Sequence, residues 1–188
     1  MTPVRLVPQH AKAYPSLMLE AYGHHPDAFT SSVQERAALP LSWWEARLSE
    51  AAGPSEVVFG SFVDGELVGV AGLAFEHREK AKHKASLFGM YVRDSCRGMG
   101  IGGQLIDQVM ACARSRPGVL LLQLTFTEGN LSAHALYQRK GFVQFGLEPY
   151  AVAVGNGFVD KVYCGVCSID QTFCKSPVWG MGANHMCA

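Results

Sequence analysis

The chain carries no net charge: 16 Lys and Arg balance 16 Asp and Glu over 188 residues. That balance argues against a protein that holds nucleic acid through bulk electrostatics. Long apolar runs are missing too. The longest strongly apolar stretch, Val119 to Leu124, is broken by Gln123 and falls far short of the roughly 20 residues of a membrane helix. Neither a nucleic-acid nor a membrane partner is therefore expected. The opening Met1-Thr2-Pro3-Val4-Arg5-Leu6-Val7 lacks both the apolar run and the cleavage site of a secretory signal. Cysteine is sparse, with six residues, well below the density of a disulfide scaffold. The expectation is a reducing, cytoplasmic setting with free thiols. Disorder is excluded as well, because 48% of residues are apolar and only 17% charged. The length fits one domain, with room for a tail.

Periodicity divides what is there. His10 to Tyr22 reads as a helix with Leu17, Met18, Ala21 and Tyr22 near one stripe. Gly23 to Asp27 breaks it. A second helix is predicted from Leu41 to Ala51, with Ser42 as its N-cap and Glu45 three residues on. The period then falls to two. Val57–Val63 and Leu67–Phe75 read as strands joined by Asp64-Gly65, a dipeptide that accepts the positive φ of a tight hairpin. Leu87–Val92 is a third strand. A helix from Gly100 to Arg114 follows, with Ile101, Leu105, Ile106, Val109, Met110 and Ala113 at helical spacing. Val119–Phe126 reads as a strand buried on both faces. Leu131–Lys140 is helical and stops at Gly141. Phe142–Val154 and Phe158–Val166 form a last hairpin around Gly155-Asn156-Gly157. The sum is an α+β domain with a mixed sheet and helices packed on it.

The most informative stretch is Arg97-Gly98-Met99-Gly100-Ile101-Gly102-Gly103. It follows a strand and opens an amphipathic helix. Glycines there let a ligand approach the main chain, and the unpaired N–H groups of the first helical turn make a phosphate site. Arg97 adds a formal charge. Gly98, Gly100 and Gly103 satisfy the dinucleotide pattern G-x-G-x-x-G, with Glu128 as a candidate ribose acid. Against that reading, Arg93 to Arg97 separate strand from glycines, and an antiparallel meander precedes them. A nicotinamide-dependent oxidoreductase is thus a disfavoured alternative. No Gly-Lys-Ser/Thr follows, so a Walker-type loop is excluded.

Arg97, Gly100 and Gly102 match the Arg/Gln-x-x-Gly-x-Gly/Ala pyrophosphate motif of the GNAT superfamily of N-acetyltransferases, which the stretch Tyr91 to Gly102 resembles. A second stretch, Asn130-Leu131-Ser132-Ala133-His134-Ala135-Leu136-Tyr137 with Gly141-Phe142, resembles a second motif of the same superfamily. The two stand in the family's order, and the resemblance covers roughly residues 57 to 166. It implies the GNAT acyl-CoA N-acyltransferase fold over residues 1–167, with a mixed, mostly antiparallel sheet splayed at the CoA site and a tail from 168 to 188. It implies acetyl-CoA as co-substrate and direct acetyl transfer to a primary amine. By resemblance Met90, Tyr91 and Val92 would lend backbone hydrogen bonds to pantetheine. Arg97, Gly98, Met99, Gly100, Ile101, Gly102 and Gly103 would hold the pyrophosphate. Asn130 and Ala133 would meet the pantetheine arm, and Tyr137 would sit near the thioester sulfur as general acid.

The general base is open among Glu76, His77, Glu35, Glu128 and His134, with Glu76 the nominal choice. The acceptor site would be built from the N-terminal helices and the last hairpin, which offer Phe29, Glu35, Trp43, Trp44 and Tyr150. Aromatics with an acid would suit a cationic amine. Of the adjacent tryptophans, one would be core and the other would line a pocket. Acceptors from small amines to peptides fit, and a homodimer is compatible. The alternative on the same scaffold is a catalytically silent acyl-CoA-binding module, against which Tyr137 weighs. No metal is expected: Cys164, Cys167, Cys174, His185 and Cys187 do not follow a zinc spacing, and His24-His25 reads as a loop feature.

Overall fold

The computed structural model describes residues 2–51 and 53–167. The expected tail, and with it Cys174, His185 and Cys187, lies outside the described residues. Along the chain come β1 (Val4–Arg5), α1 (Ala13–His24), α2 (Val33–Ala37), α3 (Leu41–Arg47), β2 (Glu56–Val63), β3 (Glu66–Phe75) and β4 (Lys84–Val92). Then follow α4 (Ile101–Ser115), β5 (Leu121–Thr127), α5 (Leu131–Arg139), β6 (Val143–Val154) and β7 (Gly157–Cys167). The strands form one sheet in the order β1-β2-β3-β4-β5-β7-β6. Among the described residues only the β4–β5 pair is parallel. The expected α+β fold with a mostly antiparallel mixed sheet is what the chain adopts.

The hairpin between β2 and β3 turns on Asp64 and Gly65, both at positive φ (48° and 82°), as the dipeptide requires. α4 buries Ile101, Leu105, Ile106, Val109, Met110 and Ala113 against one face of the sheet, in a core that also takes Tyr137 and Phe142. Each large side chain there contributes about 1.5–3 kcal/mol by leaving water. The opposite face is covered by α1 and α3, through Tyr14, Leu17, Met18, Tyr22, Trp44 and Leu48.

The sheet opens at its centre. β4 and β5 pair only from Lys84–Ser86 to Leu121–Gln123, although β4 runs on to Val92 and β5 to Thr127. The cause lies on the other edge of β4. Gly72 faces Phe88, but Val70 faces Tyr91, so β4 carries one residue more than β3 across this stretch. That is a β-bulge, which bends and twists the strand bearing it. Gly89 sits in it at φ +57°, a conformation that glycine adopts without strain. The bulge carries β4 off its partner, and a cleft opens between the two strands.

Several local expectations need correction. Ser42 does not cap α3; Pro40 stands at that N-cap with no side-chain bond. The capping box belongs instead to α2, where Ser32 and Glu35 exchange bonds. β5 buries one face fully through Leu122, Leu124 and Phe126, whereas its other face is partly buried at Leu121 and Gln123, exposed at Thr125 and buried again only at Thr127. Cys96, Cys112 and Cys164 are free thiols, but Cys167 is disulfide-bonded, so the expectation of free thiols fails there.

Candidate active site

Two clefts enter the gap from opposite sides. The first, about 580 Å³, is lined by β4 residues Met90, Tyr91 and Val92, by the glycine turn, and by α5. Gly98 and Gly100 hold φ of +80° and +78°, and a Cβ on either would meet nothing within 4 Å. Backbone conformation, rather than crowding, therefore demands glycine at both. Gly102 differs: a Cβ there would come 3.2 Å from Met90 Cε and 3.2 Å from Leu136. The first intrahelical bond of α4 runs from Gln104 N–H to the Gly100 carbonyl. The N–H groups ahead of it are left for a ligand. Arg97 stands at the same mouth, its guanidinium 2.7 Å from Asp94 Oδ1 and 2.9 Å from His25 Nε2.

α5 begins at Asn130, whose Oδ1 accepts bonds from the Ala133 N–H at 3.0 Å and the Ser132 hydroxyl at 2.9 Å. With its oxygen committed to the helix cap, Asn130 has its amide NH₂ to offer the cleft. Two turns on, Tyr137 is 7% exposed. Its hydroxyl donates to Met90 Sδ at 3.5 Å, a weak acceptor. Burial lifts the phenol above its ordinary value, so it stays protonated at neutral pH.

The second cleft, about 480 Å³, lies against the N-terminal helices and is lined by Tyr14, Met18, Tyr22, Phe29, Phe88 and Lys161 among others. Arg36, Arg47 and Glu56 also face it. Arg47 pairs with Glu56 at 3.3 Å. Burial raises the Tyr14 phenol to about 12 and lowers the Lys161 ammonium. The Lys161 Nζ donates to the Ala28 carbonyl at 2.8 Å and to Thr127 Oγ1 at 3.3 Å. The two clefts share Ala28, Phe29, Met90, Asn130, Ala133 and Tyr137. Two ligands approaching from opposite sides would meet beside the Tyr137 hydroxyl.

Of the residues singled out from the sequence, Met90, Tyr91, Val92, Arg97, Gly98, Gly100, Ile101, Gly102, Gly103, Asn130, Ala133 and Tyr137 converge on the first cleft. Met99 is not in its wall and is half exposed. Tyr91 presents its backbone there while its hydroxyl donates to Glu20 at 3.0 Å. Glu76 lies in neither wall. It is ion-paired with Arg78, whose guanidinium holds the carboxyl down to about 2. That position and that partner unfit it to take a proton from an amine in the gap. Glu35 is spent in the α2 capping box, while Glu128 is exposed and His134 stacks on Phe126; none of the three lines either cleft. Trp44 is core, edge-on to Tyr14. Trp43 supports the cleft from behind, beneath the guanidinium groups of Arg36 and Arg47. Tyr150 is 73% exposed and packs on Phe158, away from both clefts. Arg36, Arg47, Glu56 and Lys161 escaped the sequence reading. The spacing of Trp43 and Arg47, four residues apart on one helix, is the signal that would have found the Arg47 stack.

Among the described residues no group of three or more His, Cys, Asp or Glu could hold a metal ion, and no helix is long and apolar enough to cross a membrane. A family model described as the acetyltransferase (GNAT) family matches residues 18–142. The fold is similar to that of a GNAT-family acetyltransferase from Streptococcus pneumoniae, at 21% identity and TM-score 0.80 over 88% of this chain and 98% of that one. It is similar to yncA from Salmonella typhimurium, solved with acetyl-CoA, at 19% identity and TM-score 0.74 over 100% and 99% of the two chains. It is also similar to a ribosomal-protein-alanine N-acetyltransferase from Brucella melitensis, at 20% identity and TM-score 0.72 over 89% and 99%. No curated protein matches the chain by sequence.

Proposed function

The chain belongs to the acetyltransferase (GNAT) family, and on that premise we propose that it moves an acetyl group from acetyl-CoA directly to a primary amine where its two clefts meet. The residues present suit the co-substrate. The glycine turn offers unpaired N–H groups to a pyrophosphate, with Arg97 beside it. Any side chain at Gly102 would close on Met90 and Leu136, in the space the pantetheine arm needs. The gap between β4 and β5 leaves β4 main-chain groups without a strand partner, and an extended pantetheine arm can use them.

Acetyl-CoA supplies an activated carbonyl: the amine nitrogen forms a C–N bond to it, the C–S bond breaks, and CoA leaves. The chain has three tasks in that exchange. The β4 bulge presents backbone donors toward the carbonyl oxygen as it gains charge. Tyr137, kept protonated by burial, gives its proton to the departing sulfur. The amine must shed a proton, and since no candidate carboxylate lines the junction, that proton passes to solvent in the cleft. The observation that carries this reading is the sharing of Tyr137, Met90 and Asn130 by two clefts of different character.

The test is release of free CoA thiol from acetyl-CoA against a panel of amines. Amine-dependent release supports transfer. Calorimetric binding of acetyl-CoA with no release by any amine would mark a binding module instead, and failure to bind acetyl-CoA would remove the assignment of the glycine turn.

A further inference from the structure

The acceptor-side cleft has an unusual charge inventory. Apart from tyrosines, its ionisable lining is Arg36, Arg47, Lys161 and Glu56: three cations against one carboxylate. Glu56 is committed to Arg47 through two contacts, 3.3 and 3.4 Å. Lys161 donates its hydrogen bonds to neutral acceptors, the Ala28 carbonyl and the Thr127 hydroxyl, with the carboxylates of Asp27 and Glu148 acting on it only through space. Arg36 has less still. Its guanidinium carbon lies 4.9 Å from the Trp43 ring centroid and 5.8 Å from that of Tyr22. Among the described residues it makes no ion pair, and its Nε is buried with no hydrogen-bond partner. A buried donor left unmatched is costly and rare. Stacking on aromatic rings fixes the plane of a guanidinium while leaving its N–H groups free, which is the arrangement that receives a carboxylate through two parallel bonds.

We infer that Arg36 anchors a carboxylate of the acceptor, so that the acceptor is a small amino acid carrying amine and carboxylate in one molecule. This rests on the acetyl-transfer reading and names the substrate class for the same site. It reverses the expectation of a cationic amine drawn from the aromatics and Glu35, because Glu35 caps α2 and the charge that faces the cleft is positive. The same excess of positive charge disfavours an ammonium in the cleft. It thereby favours the neutral, nucleophilic amine at a junction without a carboxylate base.

The experiment compares the standard L-amino acids with their carboxamides and with spermidine as acceptors, by CoA release, in the wild type, Arg36→Gln and Arg36→Lys. The expected result is release with one or more amino acids at a kcat/KM about 10–100-fold above the matching carboxamide, the range that a charge-assisted pair supplies. In Arg36→Gln that ratio falls toward one through KM, and Arg36→Lys recovers part of it. Thermal melts of the variants report folding separately. Carboxamides or spermidine used as well as the acids would overturn the inference while leaving acetyl transfer intact. If no amine releases CoA, calorimetry with the same amino acids in the presence of CoA decides. Saturable binding lost in Arg36→Gln upholds the carboxylate anchor without the transfer; no binding overturns it.

Discussion

At the scale of single residues, Tyr137 is the group on which the proposed transfer depends. Tyr137→Phe removes the proton donor and keeps the ring that packs on Phe126 and Phe142. The expected outcome is a drop in kcat of about 10²–10⁴-fold, with acetyl-CoA affinity by calorimetry unchanged. Because burial raises the Tyr137 phenol, the pH–rate profile should show no alkaline loss from this group below about pH 10, the ordinary phenol value. Glu76→Gln, by contrast, should leave turnover within about twofold, as for a surface position outside both clefts. The contrast also marks what could be read from the chain. Tyr137 and Asn130 were legible only through the resemblance of the stretch Asn130 to Tyr137 to a family motif, which lies on one short helix. A base has no such motif. It is defined by what lies beside the reacting amine, and Glu76, at the end of a strand, folded onto Arg78 instead. Arg36 was missed for the same reason: its neighbours Tyr22 and Trp43 come from two other helices.

At the scale of elements, the glycine turn and the β4 bulge do the positioning. Gly100→Ala forces a side chain into a left-handed N-cap conformation (φ +78°), at a cost of about 1–2 kcal/mol. The expected result, read by urea unfolding and by calorimetry, is a modest stability loss together with weaker acetyl-CoA binding. Gly72 acts on the other cleft. The Phe88 ring lies across it where a Cβ would overlap, and Phe88 both lines the acceptor cleft and underlies Arg47 at 4.9 Å. Gly72→Val should therefore raise the acceptor KM by about tenfold or more while acetyl-CoA affinity holds; equal losses in both would place the effect in the fold at large. The meander, its Asp64-Gly65 turn and the α4 stripe were plain in the sequence because each is a local periodicity. The bulge was not. It is a mismatch of one residue between β3 and β4, and only the pairing of the two strands reveals it.

At the scale of the whole molecule, a seven-stranded sheet is opened once, and both clefts use that opening. A ligand there would bridge β4 and β5, which pair only as far as Ser86 and Gln123. Saturating CoA at about 100 times its Kd should stabilise the protein by about 2.7 kcal/mol, a rise in Tm of about 5–10 °C for a chain of this size. The sheet's aromatic packing has its own pH signature. Burial raises Tyr14 and Tyr91 to about 12, above the unfolded value near 10. The folded state then holds protons the unfolded state has lost. Stability is complete below about pH 10 and falls as pH rises through that interval, which urea titrations at successive alkaline pH values will read. Initial-rate kinetics test the meeting of two substrates at Tyr137 most directly. With acetyl-CoA and an amino-acid acceptor varied together, direct transfer at a shared junction requires both to be bound at once, so double-reciprocal lines should intersect. Parallel lines, the mark of a covalent acetyl-enzyme, or CoA release indifferent to the amine, would contradict it.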